Sequence, residues 1–180
     1  MARRGTIVAM RFPFRSTQDA GSDLRVRVDP STKTLTKRLR EGEVAIIDHV
    51  DIDRVSAEAL VAKRPAAVLN AAKSTSGRYP NLGPGILIRA GIPLIDDLGA
   101  QIMTVTEGST IAIEDAKILS SDGTVIAEGI AQTEESVDAA TEVAREGLSA
   151  QMEAFAANTM EHLRRERELL LDGVGVPEVS

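Results

Sequence analysis

The sequence predicts an α/β fold followed by one long C-terminal helix, and three features carry that prediction. An apolar strand run, a helix pattern and a second apolar strand run follow one another from Glu43 to Leu69, within about 30 residues, the size of a strand–helix–strand crossover. From Gly108 the pattern changes to short alternating runs separated by turn residues. Residues 134 to 172 then contain no Pro and a single Gly, and are rich in Ala, Glu, Arg, Leu and Met, all strong helix formers. Together these describe a small α/β unit, a β-hairpin layer joined to it, and a rod.

Taken in order, Leu24 to Val28 alternates apolar residues with Arg, the period of a strand with one solvated face. Asp29-Pro30-Ser31-Thr32 supplies turn chemistry, and "TKTLTKRLREGE" reads as a basic connection whose charges form a solvated face, with anion binding as the alternative. "EVAIID", residues 43 to 48, is a short β-branched run of the kind found in strands buried on both faces. Asp51 or Asp53 is placed to cap the next helix, whose body is Val55 to Lys63. Pro65 closes that helix, and Ala66 to Leu69 forms a strand parallel to the previous one, because a helical crossover joins parallel neighbours. Gly83-Pro84 starts a second helix running to about Ala90, since Pro tolerates the first helical position, and Gly91 stops it. "IPLID" begins a third parallel strand. "STIAIED", "AKILSS" and "TVIAEG" read as antiparallel strands, with Ser121-Asp122-Gly123 as a hairpin turn. In the long helix, Val137, Thr141, Ala144, Leu148, Met152, Phe155, Thr159, Leu163 and Leu170 recur every three or four residues as one stripe. A rod of this length, roughly 55 Å or more, outreaches a compact domain of this size, so part of the stripe needs another partner. Asp172-Gly173 supplies its stop, and Glu161 with Arg165 and Arg164 with Glu168 mark its wet face.

Composition narrows the chemistry. The chain has 180 residues, 43% of them hydrophobic, enough for one core. It has no Cys, which excludes disulfides, thiolate nucleophiles and sulfur-bound zinc, and its two His, at 49 and 162, are few for a metal centre. A net charge of −6 and 2% aromatic residues argue against nucleic-acid binding, which needs a basic surface and stacking partners. No run approaches the roughly 18 apolar residues of a membrane span. Residues 1 to 22, with Arg3, Arg4, Arg11 and Arg15 around the apolar Thr6 to Met10, read as a flexible, weakly basic arm; attraction to an anionic membrane or an acidic partner is the alternative.

Two constellations invite chemistry. Asp48, His49, Asp51 and Asp53 follow a strand, in the crevice where open parallel sheets bind ligands; they suit either a divalent metal or a helix cap with solvated neighbours, and the second reading is preferred. "STSGRYPNLGPG", residues 74 to 85, has no phosphate-loop pattern, and its hydroxyls have only His49 as a prospective base. Gly83 at a helix start and Arg78 nearby suit an anion or a peptide, with simple scaffolding as the equal alternative, and Tyr79, the chain's only Tyr, is the contact residue expected of the loop. Ser74, Thr75, Ser76, Gly77, Arg78, Tyr79, Asn81 and Gly83, with Asp48, His49 and Asp51, are the candidate ligand or partner contacts. No catalytic set, metal or cofactor is assigned.

The same residues carry a resemblance at two levels. Gly42-Glu43-Val44, Asp51-Ile52-Asp53, Thr75-Ser76-Gly77 and Gly91-Ile92-Pro93 fall in the order seen in the swivelling β/β/α domain of phosphoenolpyruvate-utilising enzymes. Gly77 stands where that family has its phosphate-carrying His, which excludes phosphohistidine transfer at this position. More specifically, "RLREGEVAIIDHVDIDRVSAEALV", "SGRYPNLGPGIL", "AGIPLIDDLG" and "FAANTMEHLRRERELLLDGVGVP" resemble the N-terminal part of the SteA-like cytokinetic ring proteins of actinobacteria, over about residues 24 to 178. That resemblance implies a three-layer β/β/α swivelling-like domain over 23–132, a long helix for dimerisation or interdomain packing over 133–173, and a linker over 174–180. The family continues into a thiamin pyrophosphokinase-like domain and a hydrophobic tail, neither found in this sequence. It further implies a noncatalytic role in cell division, at the cytoplasmic side of the septum, with the membrane protein SteB as partner in controlling peptidoglycan hydrolysis during daughter-cell separation. The alternative is a sensing domain that binds a nucleotide or phosphorylated metabolite for the domain that follows. In the preferred reading Leu148, Met152, Phe155, Thr159 and Leu163 form the face of a homodimer helix.

Overall fold

A computed structural model describes residues 23–175. The predicted arm at 1–22 and the final residues of the predicted linker, 176–180, lie outside the described residues. The elements are β1 (Leu24–Val28), α1 (Thr32–Thr36), β2 (Val44–Ile47), α2 (Arg54–Lys63), β3 (Ala67–Asn70), α3 (Gly83–Arg89), β4 (Leu94–Asp96), a 3-10 turn (Ala100–Thr104), β5 (Thr110–Glu114), β6 (Lys117–Ser120), β7 (Val125–Glu128), β8 (Ile130–Ala131) and α4 (Glu134–Gly175). One mixed sheet of eight strands runs in the order β7-β6-β5-β1-β2-β3-β4-β8. β1 to β4 are mutually parallel, in the registers Val26–Val44, Ala45–Val68 and Val68–Leu94, and the remaining pairings are antiparallel.

The apolar runs of β2 and β3 divide between two cores because successive strand residues face opposite ways. Val44, Ile46, Ala67, Leu69 and Ile95 face one side, where they join Ile111, Ile113 and Ile118 from the antiparallel strands and Ile102 from the 3-10 turn. Ala45, Ile47, Val68 and Leu94 face the other side, against Leu35, Leu39, Ile52, Ala57, Leu60 and Leu87 from the helical layer. Among the described residues no α-helix covers the first side. Its complete burial follows because the sheet curls over, and the 3-10 turn touches both β2 and β7. The result is the three-layer β/β/α arrangement.

Most local expectations match the observed elements, and the differences have local causes. The basic connection contains a helix, α1, because Ser31 accepts a hydrogen bond from the Thr34 amide at 3.2 Å and so caps it, while Leu35 is buried. Its charges are not all solvated. Arg38 donates to Glu107 at 2.7 and 2.8 Å, to Asp29 at 3.0 Å and to the Val28 carbonyl at 2.8 Å, which straps α1 to the loop before β5. β8 is an added edge strand on β4; Gly129 lets it approach, since a Cβ there would stand 2.3 Å from the Asp96 carbonyl oxygen.

α4 begins on a reciprocal cap in which Thr133 Oγ1 accepts from the Ser136 amide at 3.0 Å and Ser136 Oγ accepts from the Thr133 amide at 2.9 Å. Its 42 residues extend about 63 Å. Gly173 does not stop it: glycine can adopt helical angles at a cost of about 1 kcal/mol, and the helix runs on to Gly175. Two residues of the predicted linker are therefore helical. The predicted Arg164–Glu168 pair is also replaced, because Arg164 turns back to Glu161, which Arg165 approaches at 3.4 Å.

The Arg38 hydrogen bonds hold the Glu107 carboxyl at about 2, down from its ordinary 4.5. A depressed carboxylate contributes stability that is present above the unfolded value and lost as pH falls through the folded one. Acid titration followed by circular dichroism should therefore show stability declining between pH 4.5 and about 2. Glu107→Gln should cost about 1 kcal/mol at neutral pH and flatten that decline.

Candidate functional site

The C-terminal ends of β2, β3 and β4 and the loop 74–82 form one polar assembly, built around three buried side chains. Asn70 ends β3 and is fully buried; its Oδ1 accepts from the amides of His49 at 3.0 Å and Ala72 at 3.1 Å, and its Nδ2 donates to the His49 carbonyl and Ser74 Oγ, both at 2.8 Å. Asp96 ends β4 and is 2% exposed. It accepts from the Ser74 amide at 2.8 and 2.9 Å, from Ser74 Oγ at 2.5 Å and from Gln132 Nε2 at 3.2 Å. Gln132 Oε1 in turn accepts from Ser136 Oγ at 2.7 Å, so the chain of hydrogen bonds ends at the first turn of α4. Burial pushes the Asp96 carboxyl above its ordinary value, against the lowering effect of the Ser74 bonds.

The loop closes on itself above this layer. Asp51, with φ of +55°, accepts from the Ser76 amide at 2.6 Å and Ser76 Oγ at 2.9 Å. Asn81 Nδ2 donates to the carbonyls of Ile52 at 2.9 Å and Ser74 at 2.8 Å. Gly77, at φ +82°, makes the turn that Asp51 secures, and the Arg78 amide donates to Ser76 Oγ at 3.2 Å. What remains on the outside is Arg78, with its guanidinium 5.8 Å from the Tyr79 ring centre, and Leu82; all three residues are exposed.

Each expected contact now has a place. Asp53, not Asp51, caps α2, accepting from the Ser56 amide at 3.2 Å. Asp48 is exposed, and His49 meets Asp53 at 3.4 Å through Nε2 and Thr32 Oγ1 at 2.8 Å through Nδ1. His49 therefore has no hydrogen bond with Ser74, Thr75 or Ser76, and the hydroxyl that it does meet, on Thr32, is 3% exposed. Among the described residues no three His, Asp or Glu side chains converge as a metal site would require. The Gly83 amide is not free for an anion: it donates to the Ile52 carbonyl at 3.1 Å. Glycine is required there by packing, since a Cβ would lie 2.2 Å from the Ile52 oxygen. Thr75 Oγ1 and Asn81 Oδ1 are the buried polar atoms left without a partner among the described residues. Sequence reasoning missed Asn70, Asp96 and Gln132. For the first two the signal was present: a polar residue ends each of the apolar runs "AVLN" and "PLID".

Fold and site thus define a three-layer β/β/α protein whose strand-end crevice is occupied by its own loop. Comparison of the chain with protein-family models, with curated proteins and with solved structures returned no match in any of the three.

Removing one partner of a buried charged group leaves that group unsatisfied. Ser74→Ala should therefore destabilise by about 1–3 kcal/mol in denaturant titration. It should also raise the Asp96 pKa further, seen by carboxyl NMR, so the loss is largest at neutral pH and shrinks as acid protonates Asp96. Tyr79→Ala, at an exposed ring, should stay within about 0.5 kcal/mol.

Proposed function

We propose that this chain is a noncatalytic regulatory and assembly module of the SteA-like kind, which joins copies of itself and a membrane partner such as SteB during daughter-cell separation. One observation carries the assembly reading. Val137 and Ala144 are 3% and 0% exposed where the base of α4 rests on α3, whereas Met152, Phe155 and Leu163 on the same stripe are 63%, 72% and 56% exposed. A stripe that starts as core and continues into solvent calls for a second surface, because large exposed apolar patches are rare on monomers. The loop hydroxyls support a noncatalytic role: the Ser74 hydroxyl is buried, Ser76 is engaged by Asp51, and Thr75 Oγ1 has no hydrogen-bond partner among the described residues to act as its base. No helix of the described residues is long and apolar enough to cross a membrane. The division role and the septal location rest on the sequence resemblance.

Sedimentation equilibrium at low to high micromolar concentration tests assembly. The wild type should be a dimer, and the double variant Leu148→Glu, Phe155→Glu should be a monomer that stays folded by circular dichroism but unfolds at a lower midpoint, because it no longer gains the stabilisation of association; a monomeric wild type overturns the reading. For the division role, cells depleted of the protein should remain chained with uncleaved septa, and the double variant should fail to separate them. Normal separation after depletion overturns it.

A second reading, a sensor of a nucleotide or phosphorylated metabolite, is favoured by the unpartnered Thr75 hydroxyl, which can donate to a phosphate oxygen, in the loop that carries the exposed Arg78 and Tyr79. Inorganic pyrophosphate or ATP should then raise the melting temperature of the wild type but not of Arg78→Ala. An unchanged wild type rejects sensing of these ligands.

A further inference from the structure

We infer that Asp96 couples the loop 74–82 to the root of α4, so that loosening either one loosens the other. This coupling requires neither a second copy nor a bound ligand, and so stands apart from both functional readings. Asp96 is reached from two sides. On one, Ser74 presents its amide at 2.8 and 2.9 Å and its hydroxyl at 2.5 Å. On the other, Gln132 Nε2 donates at 3.2 Å. These donors, its hydrogen-bond partners among the described residues, are all neutral, and the carboxylate that they share is 2% exposed. A buried charge held by neutral donors alone leans on each of them. Removing one favours the neutral acid, to which every other donor bonds about half as strongly. Burial and the neighbouring Asp97 charge already favour that neutral form.

Each side of the carboxylate leads directly to its element. Ser74 is where the loop is tied down: its hydroxyl also accepts from Asn70 Nδ2, and its carbonyl accepts from Asn81 Nδ2, both at 2.8 Å. At the other end β8 has only two residues, and Gln132 follows it, held by its amide to the Leu94 carbonyl at 2.9 Å and by its side chain to Asp96. Gln132 Oε1 accepts from Ser136 Oγ at 2.7 Å, and that hydroxyl belongs to the reciprocal cap of α4. The Arg89–Glu134 pair, at 4.0 Å between exposed side chains, adds little to the hold on the root.

Coupling between two sites is reciprocal. Whatever draws Ser74 off Asp96 would loosen the first turn of α4, and whatever steadies that turn would tighten the loop that carries Arg78 and Tyr79.

Amide hydrogen exchange of the full chain, read by NMR, tests the coupling. Gln132→Ala should speed exchange of the Ser74 amide. Ser74→Ala should speed exchange of the Val137 amide, which donates to the Thr133 carbonyl at 3.0 Å. Each effect should be about fivefold or more beyond any change at the amides of β2, which report opening of the whole fold. Asp96→Asn keeps an acceptor for Ser74 and removes the charge; in that background both cross-effects should fall below about twofold. Carboxyl NMR should also show the Asp96 titration moving upward in Gln132→Ala. Gln132→Ala leaves every Ser74 contact in place, so it decides the matter by itself if Ser74→Ala does not fold. Exchange at Ser74 and Val137 that changes no more than exchange at β2 overturns the coupling. Cross-effects undiminished by Asp96→Asn, or an Asp96 titration unmoved by Gln132→Ala, would route it through α3 and overturn the role of Asp96.

Discussion

The constraint on which the molecule depends is the burial of both faces of the central parallel strands. Val44 to Ile47 are all fully buried, so every side chain of β2 must find a core, and the alternation of the strand sends them to two different ones. A sheet whose strands are apolar on both faces must be covered twice. Helices α1, α2 and α3 cover one face. On the other, the described residues offer a 3-10 turn and no α-helix, and the antiparallel strands curl over to meet Leu69 and Ile46. The hairpin layer is therefore a consequence of β2 and β3, and its own alternating pattern fits a sheet with one face in the core and the other in water.

Closing both faces leaves the strand ends as the place where polar groups collect. Asn70, Ser74 and Asp96 are buried there, and buried polar groups need partners. They find them largely in one another and in the backbone of the loop, which is why the loop is pinned. The same network runs through Gln132 to Ser136 and so ties the crevice to the root of the long helix. Arg78 and Tyr79 stand outside this web and are what the loop offers to solvent.

The long helix obeys a different rule. Its base is held by a reciprocal cap and by the contact with α3, including Arg89 near Glu134 at 4.0 Å, but from Ser149 to Leu171 every residue except Glu161 is exposed among the described residues. Helices in proteins gain most of their stability from packing an apolar face. A helix of this length, with that face in solvent, is suited to docking.

The element types could be read along the chain because each rests on local physics: β-branched runs for β2 and β3, Pro84 at a helix start, Asp-Gly at a hairpin, a Pro-free stretch for α4. The stripe of α4 was equally legible, since it follows from residue spacing alone. Which carboxylates would be buried was not, because Asp48 and Asp96 each follow an apolar run and only the packing of neighbouring strands decides that one is exposed and the other enclosed. Nor could sequence separate Asp51 from Asp53 as the cap, or show that Arg38 would meet Glu107, 69 residues away. Local sequence determined the elements and their apolar faces, through backbone preferences and side-chain periodicity that act within a few residues. Only the tertiary structure decided which polar groups meet and where the helix leaves its support, because those pairings join positions far apart in the chain and exist once the two cores have closed.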